Sequence, residues 1–154
     1  MDDKTRDLIQ QTAHELLAQL QITGAGVEVS EHNETILVTI ESEESGLLIG
    51  YHGRTLEALQ LLMRQIVFKK TGTWIRLTMS IGDYRARREE QLKEIAEQAA
   101  EQVISEQEPL IMDELTPAER RIIHLALQNH EQVMSESEGE GRNRRLVIKL
   151  KPQA

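Results

Sequence analysis

Apolar and polar residues follow two periods along this chain, one typical of helices and the other of strands. Apolar residues recur at helical spacing over residues 4–20, until a Thr-Gly-Ala-Gly segment interrupts the pattern. Residues 27–29 and 36–40 alternate between apolar and polar side chains, and the polar segment between them predicts a hairpin turn. This part of the chain therefore predicts one helix followed by two strands.

A glycine-containing segment separates two helical patterns in the next part of the chain. A short apolar turn at 46–49 leads into Gly50-Tyr51-His52-Gly53, and a longer helix is predicted over about 54–70. Residues 74–81 alternate again and predict a third strand. The residues expected to be buried are Leu56, Leu59, Met63 and Ile66 in the helix, and Ile75, Leu77, Met79 and Ile81 in the strand.

The order of these elements predicts an α+β domain over residues 1–82. Its helix, two strands, short helix, glycine loop, second long helix and third strand give the order αββααβ. We expect the helices to pack on one face of a three-stranded sheet, because each element has a single apolar face.

Residues 83–154 predict a second, smaller α+β domain that begins with a long helix over about 84–106. We expect this helix to bury Leu92, Ile95, Ala99 and Val103, and Pro109 to end it. The residues Thr116, Pro117 and Glu119 form a capping-box pattern that predicts a helix to about Asn129. The pattern then predicts a short strand at Val133, an acidic loop at 135–141 and a final strand with Leu146, Ile148 and Leu150.

Composition indicates a folded, cytoplasmic protein. Hydrophobic residues make up 39% of the chain and charged residues 29%, which is typical of globular domains. The absence of cysteine excludes disulfides and thiolate metal sites. No apolar run reaches the ~20 residues of a membrane helix. The first residues also lack the pattern of a signal peptide.

The net charge of −8 argues against a nucleic-acid binder, because such proteins usually neutralise phosphates with Lys and Arg. The charges are segregated, however. Residues 89–114 hold nine acids and one lysine, whereas basic residues stand at 85–88 and 142–151. An acidic protein with local basic patches remains compatible with RNA binding.

The glycine loop is the most informative segment of the first domain. Two glycines separated by two residues let the backbone approach a ligand closely, and the helix that follows directs free N–H groups toward the loop. Taken alone, this spacing also occurs in ordinary helix–helix turns. Its position between two helices, after two strands and before a third, is similar to the type II KH domain, whose loop holds the backbone of about four nucleotides.

The KH resemblance assigns a role to each residue of the loop. It implies that Gly50 and Gly53 contact the sugar–phosphate backbone, that Tyr51, His52 and Arg54 add polar contacts, and that bases lie along the adjoining groove toward Arg76. RNA-binding KH loops often carry Lys or Arg between the glycines. Tyr and His at these positions weaken the electrostatic attraction and favour stacking.

An Arg and a His one helical turn apart mark the second domain. Arg120 and His124 would project from the same face of the capped helix, as they would on any amphipathic helix. The wider pattern, Leu115 to His124 followed by an Arg-rich segment and an alternating strand, resembles the R-three-H domain, whose family binds single-stranded nucleic acid. The resemblance implies contacts from Arg120 and His124, with further contacts from Arg142, Arg144 and Arg145.

The two halves together resemble the Jag/KhpB family of bacterial RNA-binding proteins over roughly residues 5–150. The segment Gly82-Asp-Tyr-Arg85-Ala-Arg87-Arg88 is similar to that family's junction. The resemblance implies single-stranded RNA binding by two linked modules, as an RNA chaperone or post-transcriptional regulator linked to cell elongation and cell shape. A small single-KH-domain protein or a second copy would be the partner. Many relatives carry another domain before the KH module, which we expect this chain to lack.

No pattern for a metal site, a cofactor or a catalytic centre emerges, so we expect a protein that is not an enzyme. The histidines lack zinc-ligand spacing, and there is no Walker loop, dinucleotide fingerprint or nucleophile elbow. Alternating Glu136, Glu138 and Glu140 lack the longer ligand pattern of a calcium loop and are expected to form a solvated loop.

Two other functions stay open. A protein–protein adaptor in cell-envelope or cell-elongation regulation would use the acidic helix as a docking surface and the KH fold for dimerisation. A nuclease would use His124 as general acid or base and Arg120 to stabilise phosphate charge. The nuclease lacks a second base or a metal cluster, and RNA binding explains more of the sequence.

Overall fold

The structure is a computed structural model that describes residues 2–152. The chain forms two compact units, the first ending at Arg85 and the second beginning at Ala86. The first contains α1 (Asp3–Gln19), β1 (Gly26–His32), β2 (Thr35–Glu41), α2 (Ser45–Ile49), α3 (Arg54–Thr71) and β3 (Leu77–Ile81). Helix α4 (Tyr84–Glu106) starts at the end of the first unit. The second unit continues with β4 (Leu110–Met112), α5 (Pro117–Leu127), β5 (Val133–Glu138) and β6 (Arg145–Leu150).

The sheet of the first unit has the order β1-β2-β3. Strands β1 and β2 are antiparallel, whereas β2 and β3 are parallel and are connected through α2 and α3. The predicted hairpin turn is confirmed: Asn33 and Glu34 have φ angles of 48° and 61°, which suit the tight turns that join twisted strands. The element order αββααβ confirms the predicted type II KH topology.

The first core lies between the sheet and the helices α1 and α3. Alternation along β2 buries Ile36, Val38 and Ile40 on one face, as predicted. On α3 the buried stripe includes Val67, while the predicted Ile66 is only half-buried. Residues three and four apart both lie on one face of a helix, and the buried stripe of Leu56, Leu59 and Met63 continues to Val67 with Ile66 at its margin.

The third strand is shorter than its sequence pattern indicated. It begins at Leu77, and the predicted start at Trp74 is wrong. Hydrogen bonds between Thr71 and Thr73 form a turn after α3, and the Trp74 ring stacks on Phe68 instead of entering the sheet.

The second unit has a three-stranded antiparallel sheet with β6 between β4 and β5. Helices α4 and α5 supply apolar residues to the core on one face of this sheet. The buried stripe of α4 runs through Leu92, Ala96, Ala99 and Val103, and the predicted Ile95 is half-buried at its margin. The two units together confirm the α+β fold class.

Two elements of the second unit differ from the sequence prediction. Strand β4 was not predicted, since only three residues form it directly after Pro109. The predicted acidic loop at 135–141 is wrong in its first half, because Ser135 and Glu136 lie within β5. Hydroxyl and carboxylate side chains concealed the period-two pattern that buries Val133 and Ser135.

None of the helices within residues 2–152 combines the length and the apolar character that a membrane crossing needs.

Candidate nucleic-acid interface

The glycine loop depends on backbone angles that other residues rarely adopt. Gly50 has φ 70° and ψ −173°, a combination found essentially only at glycine, and a Cβ there would overlap the Thr55 hydroxyl. Gly53 has φ 78°, and a Cβ would lie 3.1 Å from the Tyr84 hydroxyl oxygen. The two glycines therefore let the loop turn tightly between α2 and α3, with Tyr84 packed against its end.

The two residues between the glycines point outward with their rings stacked. The Tyr51 and His52 ring centroids are 4.1 Å apart with an angle of 10° between the planes. The Arg54 guanidinium carbon lies 5.6 Å from the Tyr51 ring centroid. All three side chains are exposed, and Tyr51 keeps 61% of its surface in solvent. Flat aromatic and guanidinium groups of this kind can stack on unpaired bases.

The amino terminus of α3 has no side-chain cap. Its N-cap residue is Gly53, which has no side chain to accept a hydrogen bond from the first turn. The first N–H groups of a helix have no partner within the helix, and the helix dipole gives this end a partial positive charge. The first turn of α3 is therefore suited to bind a phosphate group.

Polar side chains cover the open edge of β3. The Gln60 side-chain oxygen accepts a hydrogen bond from the Met79 amide at 2.9 Å, and Arg64 Nε donates to the Leu77 carbonyl at 2.7 Å. Arg85 donates to the Met79 carbonyl and, at 2.8 Å, to the Gln60 oxygen. Burial lowers the pKa of Arg85 from its ordinary value, yet the group stays charged because an arginine titrates far above neutral pH. Guanidinium and amide groups therefore line the β3 edge beside α3.

Arg76 lies at the other end of the sheet from the glycine loop. Its carbonyl accepts a hydrogen bond from Ile36 at the start of β2, whereas Gly82 bonds to Ile40 at the end of the strand, where the chain turns toward the loop. The structure does not bring Arg76 to the loop, although its side chain is exposed.

Helix α5 is fixed by the predicted capping box and by a buried ion pair. Thr116 Oγ1 accepts from the Glu119 amide at 3.2 Å, and Glu119 Oε2 accepts from the Thr116 amide at 2.9 Å. The other Glu119 oxygen bonds Arg88 Nε at 2.8 Å, with only 7% of the Glu119 side chain exposed. Because Glu119 directly precedes Arg120, these contacts fix the helix face that carries Arg120 and His124.

An open cleft of about 640 Å³ lies between α5 and β5. Arg120 Nη1 donates to the Leu115 carbonyl at 2.7 Å and to the Arg144 carbonyl at 3.4 Å. His124 Nδ1 is 2.8 Å from the Ser135 hydroxyl oxygen. The residues that line the cleft are Pro117, Arg120, Arg121, His124, Ser135, Glu136, Ser137, Glu138 and Arg144.

The structure thus brings together three of the five residues that the sequence predicted for the second site. Arg120, His124 and Arg144 line one cleft, and carbonyl oxygens rather than carboxylates hold Arg120, so its charge is not neutralised there. Arg142 lies in the short turn before β6, outside the cleft lining. Arg145 begins β6 opposite Glu138 and also lies outside that lining.

Sequence reasoning missed part of both sites. Arg121 lines the cleft, and a signal existed, because Pro117, Arg121 and His124 recur at helical spacing on one face. Ser135 had no signal, since it falls in the segment predicted as a loop. Gln60 was missed because its role depends on the position of the β3 edge, which the sequence alone does not give.

Within residues 2–152, no group of three or more His, Asp or Glu side chains is arranged to hold a metal ion. His124 bonds a serine hydroxyl, and Glu136 is paired with Lys149 at 2.6 Å.

Family models match both halves of the chain. The model described as "KhpA/KhpB, KH domain" matches residues 6–79, which contain the glycine loop. The model of the R-three-H domain matches residues 90–150, which contain the α5–β5 cleft.

Bacterial proteins named "RNA-binding protein KhpB" are similar to most of the chain. The Clostridium symbiosum protein is 36% identical over 153 residues, covering 96% of this chain and 69% of that protein. The protein of Streptococcus pneumoniae serotype 2 is 34% identical over 146 residues, covering 91% of this chain but only 44% of its own length. The Bacillus subtilis protein is 36% identical over 128 residues, and the chain spans 61% of it.

Proposed function

The chain belongs to the KhpB family of RNA-binding proteins, and we propose that it binds single-stranded RNA through both units without catalysing a reaction. In this proposal residues 1–82 form the KH module and residues 83–154 the R-three-H module. The glycine loop carries the proposal most directly, because exposed stacking groups stand beside an uncapped helix terminus there.

The KH module would hold the RNA backbone at the loop. Phosphate oxygens would accept hydrogen bonds from the first N–H groups of α3, and Gly50 and Gly53 would give the loop the tight turn that presents this helix terminus. The exposed Tyr51 and His52 rings, together with Arg54, would stack on unpaired bases. A single strand suits this site because its unpaired bases can expose their flat faces to the rings, whereas the bases of a duplex are stacked on one another.

The R-three-H module would contact RNA at the α5–β5 cleft. Arg120 and Arg144 would supply positive charge to phosphates, and His124 would donate or stack at the rim. The bond between His124 and Ser135 orients the imidazole ring. A linked second module raises the joint affinity for a strand that reaches both sites.

The cellular role is part of the proposal. We infer a cytoplasmic RNA chaperone or post-transcriptional regulator that acts in control of cell shape, with a small single-KH-domain protein or a second copy of the chain as partner. The names of the relatives support the RNA-binding role. Light scattering of the purified chain, alone and with a single-KH protein, tests the partner.

Fluorescence anisotropy of a labelled single-stranded RNA tests the binding function. Tyr51→Asp/His52→Asp should weaken binding roughly five- to one-hundred-fold, because it replaces stacking rings with charges that repel phosphate. His32→Asp/Asn33→Asp is the matched control: both pairs are exposed, and the second residue of each has nearly the same backbone angle, with φ 49° at His52 and 48° at Asn33. Arg120→Ala/His124→Ala should weaken binding and reduce its salt dependence.

An adaptor role would take precedence if the folded chain showed no RNA binding. The observation that favours it is the acidic surface of α4, where exposed Glu89 and Glu90 already pair with Lys93 and further acids follow. Capture of a protein partner that persists in both double variants would support that role.

A further inference from the structure

One face of α3 forms a continuous row from the glycine loop to an aromatic pair at the surface. Gln60, Arg64 and Phe68 are four residues apart and therefore share a face of the helix. Gln60 contacts Met79, Arg64 contacts Leu77, and Phe68 contacts Trp74. As α3 runs away from the loop from Gln60 to Phe68, the partners run in the opposite chain direction from Met79 to Trp74. Each successive contact therefore lies further from the loop.

The aromatic pair at the end of this row lies at the surface, with Trp74 exposed and Phe68 half-buried beneath it. The Phe68 and Trp74 ring centroids are 4.3 Å apart with an interplanar angle of 14°, so the rings stack face to face. Trp74 nevertheless keeps 61% of its surface in solvent. The outer face of a stacked ring pair offers a flat apolar surface on which another flat group, such as a base, can stack.

Two exposed basic residues lie close to the pair in the chain. Lys69 lies on the last turn of α3, Arg76 follows Trp74 by two residues, and both side chains are exposed. Neither forms an ion pair with a carboxylate in the part of the chain that the structure describes. A stacking surface with unneutralised cations beside it matches the chemistry of a nucleotide, which has a flat base and an anionic phosphate.

We propose that Trp74, supported by Phe68, is a base-stacking site for single-stranded RNA at the far end of the α3–β3 groove, which runs along Gln60 and Arg64. The inference rests on the proposed function, since the strand held at the loop would continue past Gln60 and Arg64 to reach it. Helix α3 has 18 residues and is therefore about 27 Å long, so the groove would take more nucleotides than the loop alone. The last bound nucleotide would stack its base on Trp74, and Lys69 and Arg76 would contact its phosphate.

The chain contains a single tryptophan, so its intrinsic fluorescence reports this site directly. The experiment titrates unlabelled single-stranded RNA into the full chain and records Trp74 emission, corrected for absorption by the nucleotides. Anisotropy of the same RNA carrying a label gives the affinity in parallel. We expect quenching with the same midpoint as the anisotropy change, and a matching shift of both midpoints in Tyr51→Asp/His52→Asp.

Three variants distinguish a loss of base stacking on Trp74 from a loss of folding. Trp74→Ala should weaken RNA binding by roughly five- to one-hundred-fold, Trp74→Phe should keep most of the affinity, and Leu20→Ala, which shortens another exposed apolar residue of the same unit, should change nothing. Circular dichroism checks that each variant is folded.

The outcomes distinguish this inference from the proposed function. RNA that binds without quenching Trp74, and binds Trp74→Ala as tightly as the parent chain, would overturn the inference and leave the proposed function intact. Quenching that survives the loop variant at unchanged affinity would contradict the continuous groove. A Trp74→Ala variant that changes only the oligomeric mass would assign the surface to a protein contact instead. A parent chain that binds no RNA would overturn both.

Discussion

At the scale of single residues, the conformation of the glycine loop depends on the backbone angles of Gly50 and on its lack of a side chain. Its φ and ψ angles lie in a region that costs other residues of order 1–3 kcal/mol, and a Cβ would also overlap Thr55. Gly50→Ala should therefore lower the free energy of unfolding of the first unit by at least about 1–3 kcal/mol. Urea unfolding followed by Trp74 fluorescence measures this change, since Trp74 belongs to the first unit.

Gly46→Ala is the control for this prediction. Gly46 lies inside α2, and a Cβ there would meet no atom within 4 Å, so alanine should be neutral or stabilising. Equal stability of Gly50→Ala and the parent chain would contradict the account of the loop.

Glu119 is the second residue whose removal should have a large effect. It belongs to the capping box of α5 and to a buried ion pair with Arg88, so Glu119→Ala removes two sets of contacts and leaves a buried cation unpaired. We expect a loss of roughly 3–5 kcal/mol, against about 1 kcal/mol for Thr116→Ala, which removes only a cap. Hydrogen exchange of the α5 amides measures both, and equal losses would show that the Arg88 contact contributes little.

At the scale of secondary-structure elements, α5 connects sequence, stability and the second site. The capping box at its start was readable from three residues, and helical spacing then placed Arg120 and His124 on one face. The cleft also needs β5, which supplies Ser135 to orient His124. Serine and glutamate have weak strand preferences, so the local sequence indicated a loop, and pairing with β6 determined the strand instead.

The same distinction holds in the first unit. Periodicity predicted α1, α3 and the β1–β2 hairpin, because each buries one regular face. It overextended β3 to Trp74, since an alternating pattern does not reveal that a stacked ring pair and a threonine turn hold this segment outside the sheet. The loop residues were likewise recognisable from the glycine spacing. The side chains that cover the β3 edge were not, because they come from separate elements.

The side chains that cover the β3 edge should contribute to stability, and Arg64 tests this. Arg64 donates to the Leu77 carbonyl, which lies on the open side of an edge strand. Arg64→Met keeps the aliphatic packing but removes the donor, and should cost about 1 kcal/mol while weakening RNA binding further through the loss of a cation. Urea unfolding and anisotropy measure the two effects, and a variant that loses neither would exclude Arg64 from the groove.

At the scale of the whole molecule, the net charge of −8 contrasts with local groups that are suited to an anionic strand. Bulk charge would disfavour RNA, whereas an uncapped helix end and a cleft with Arg120 and Arg144 favour it locally. Binding should therefore be specific for single strands and should decline steeply as salt is raised.

The account also predicts that the chain leaves its RNA intact. The relatives are named RNA-binding proteins, and His124 Nδ1 is already 2.8 Å from the Ser135 hydroxyl oxygen. Labelled RNA incubated with the purified chain should therefore keep its length on a denaturing gel. Cleavage that disappears in His124→Ala would show that the cleft is catalytic.

Amide chemical-shift mapping is the sharpest test of RNA binding by both units, because a chain of 17.6 kDa is within reach of solution NMR and shifts are recorded for the whole chain at once. Single-stranded RNA is titrated into the labelled full chain. The account predicts that shifts concentrate at the glycine loop with the start of α3, and at α5 with Ser135 and Arg144, while the acidic surface of α4 is unchanged. Shifts confined to α4, or none at saturating RNA, would contradict it.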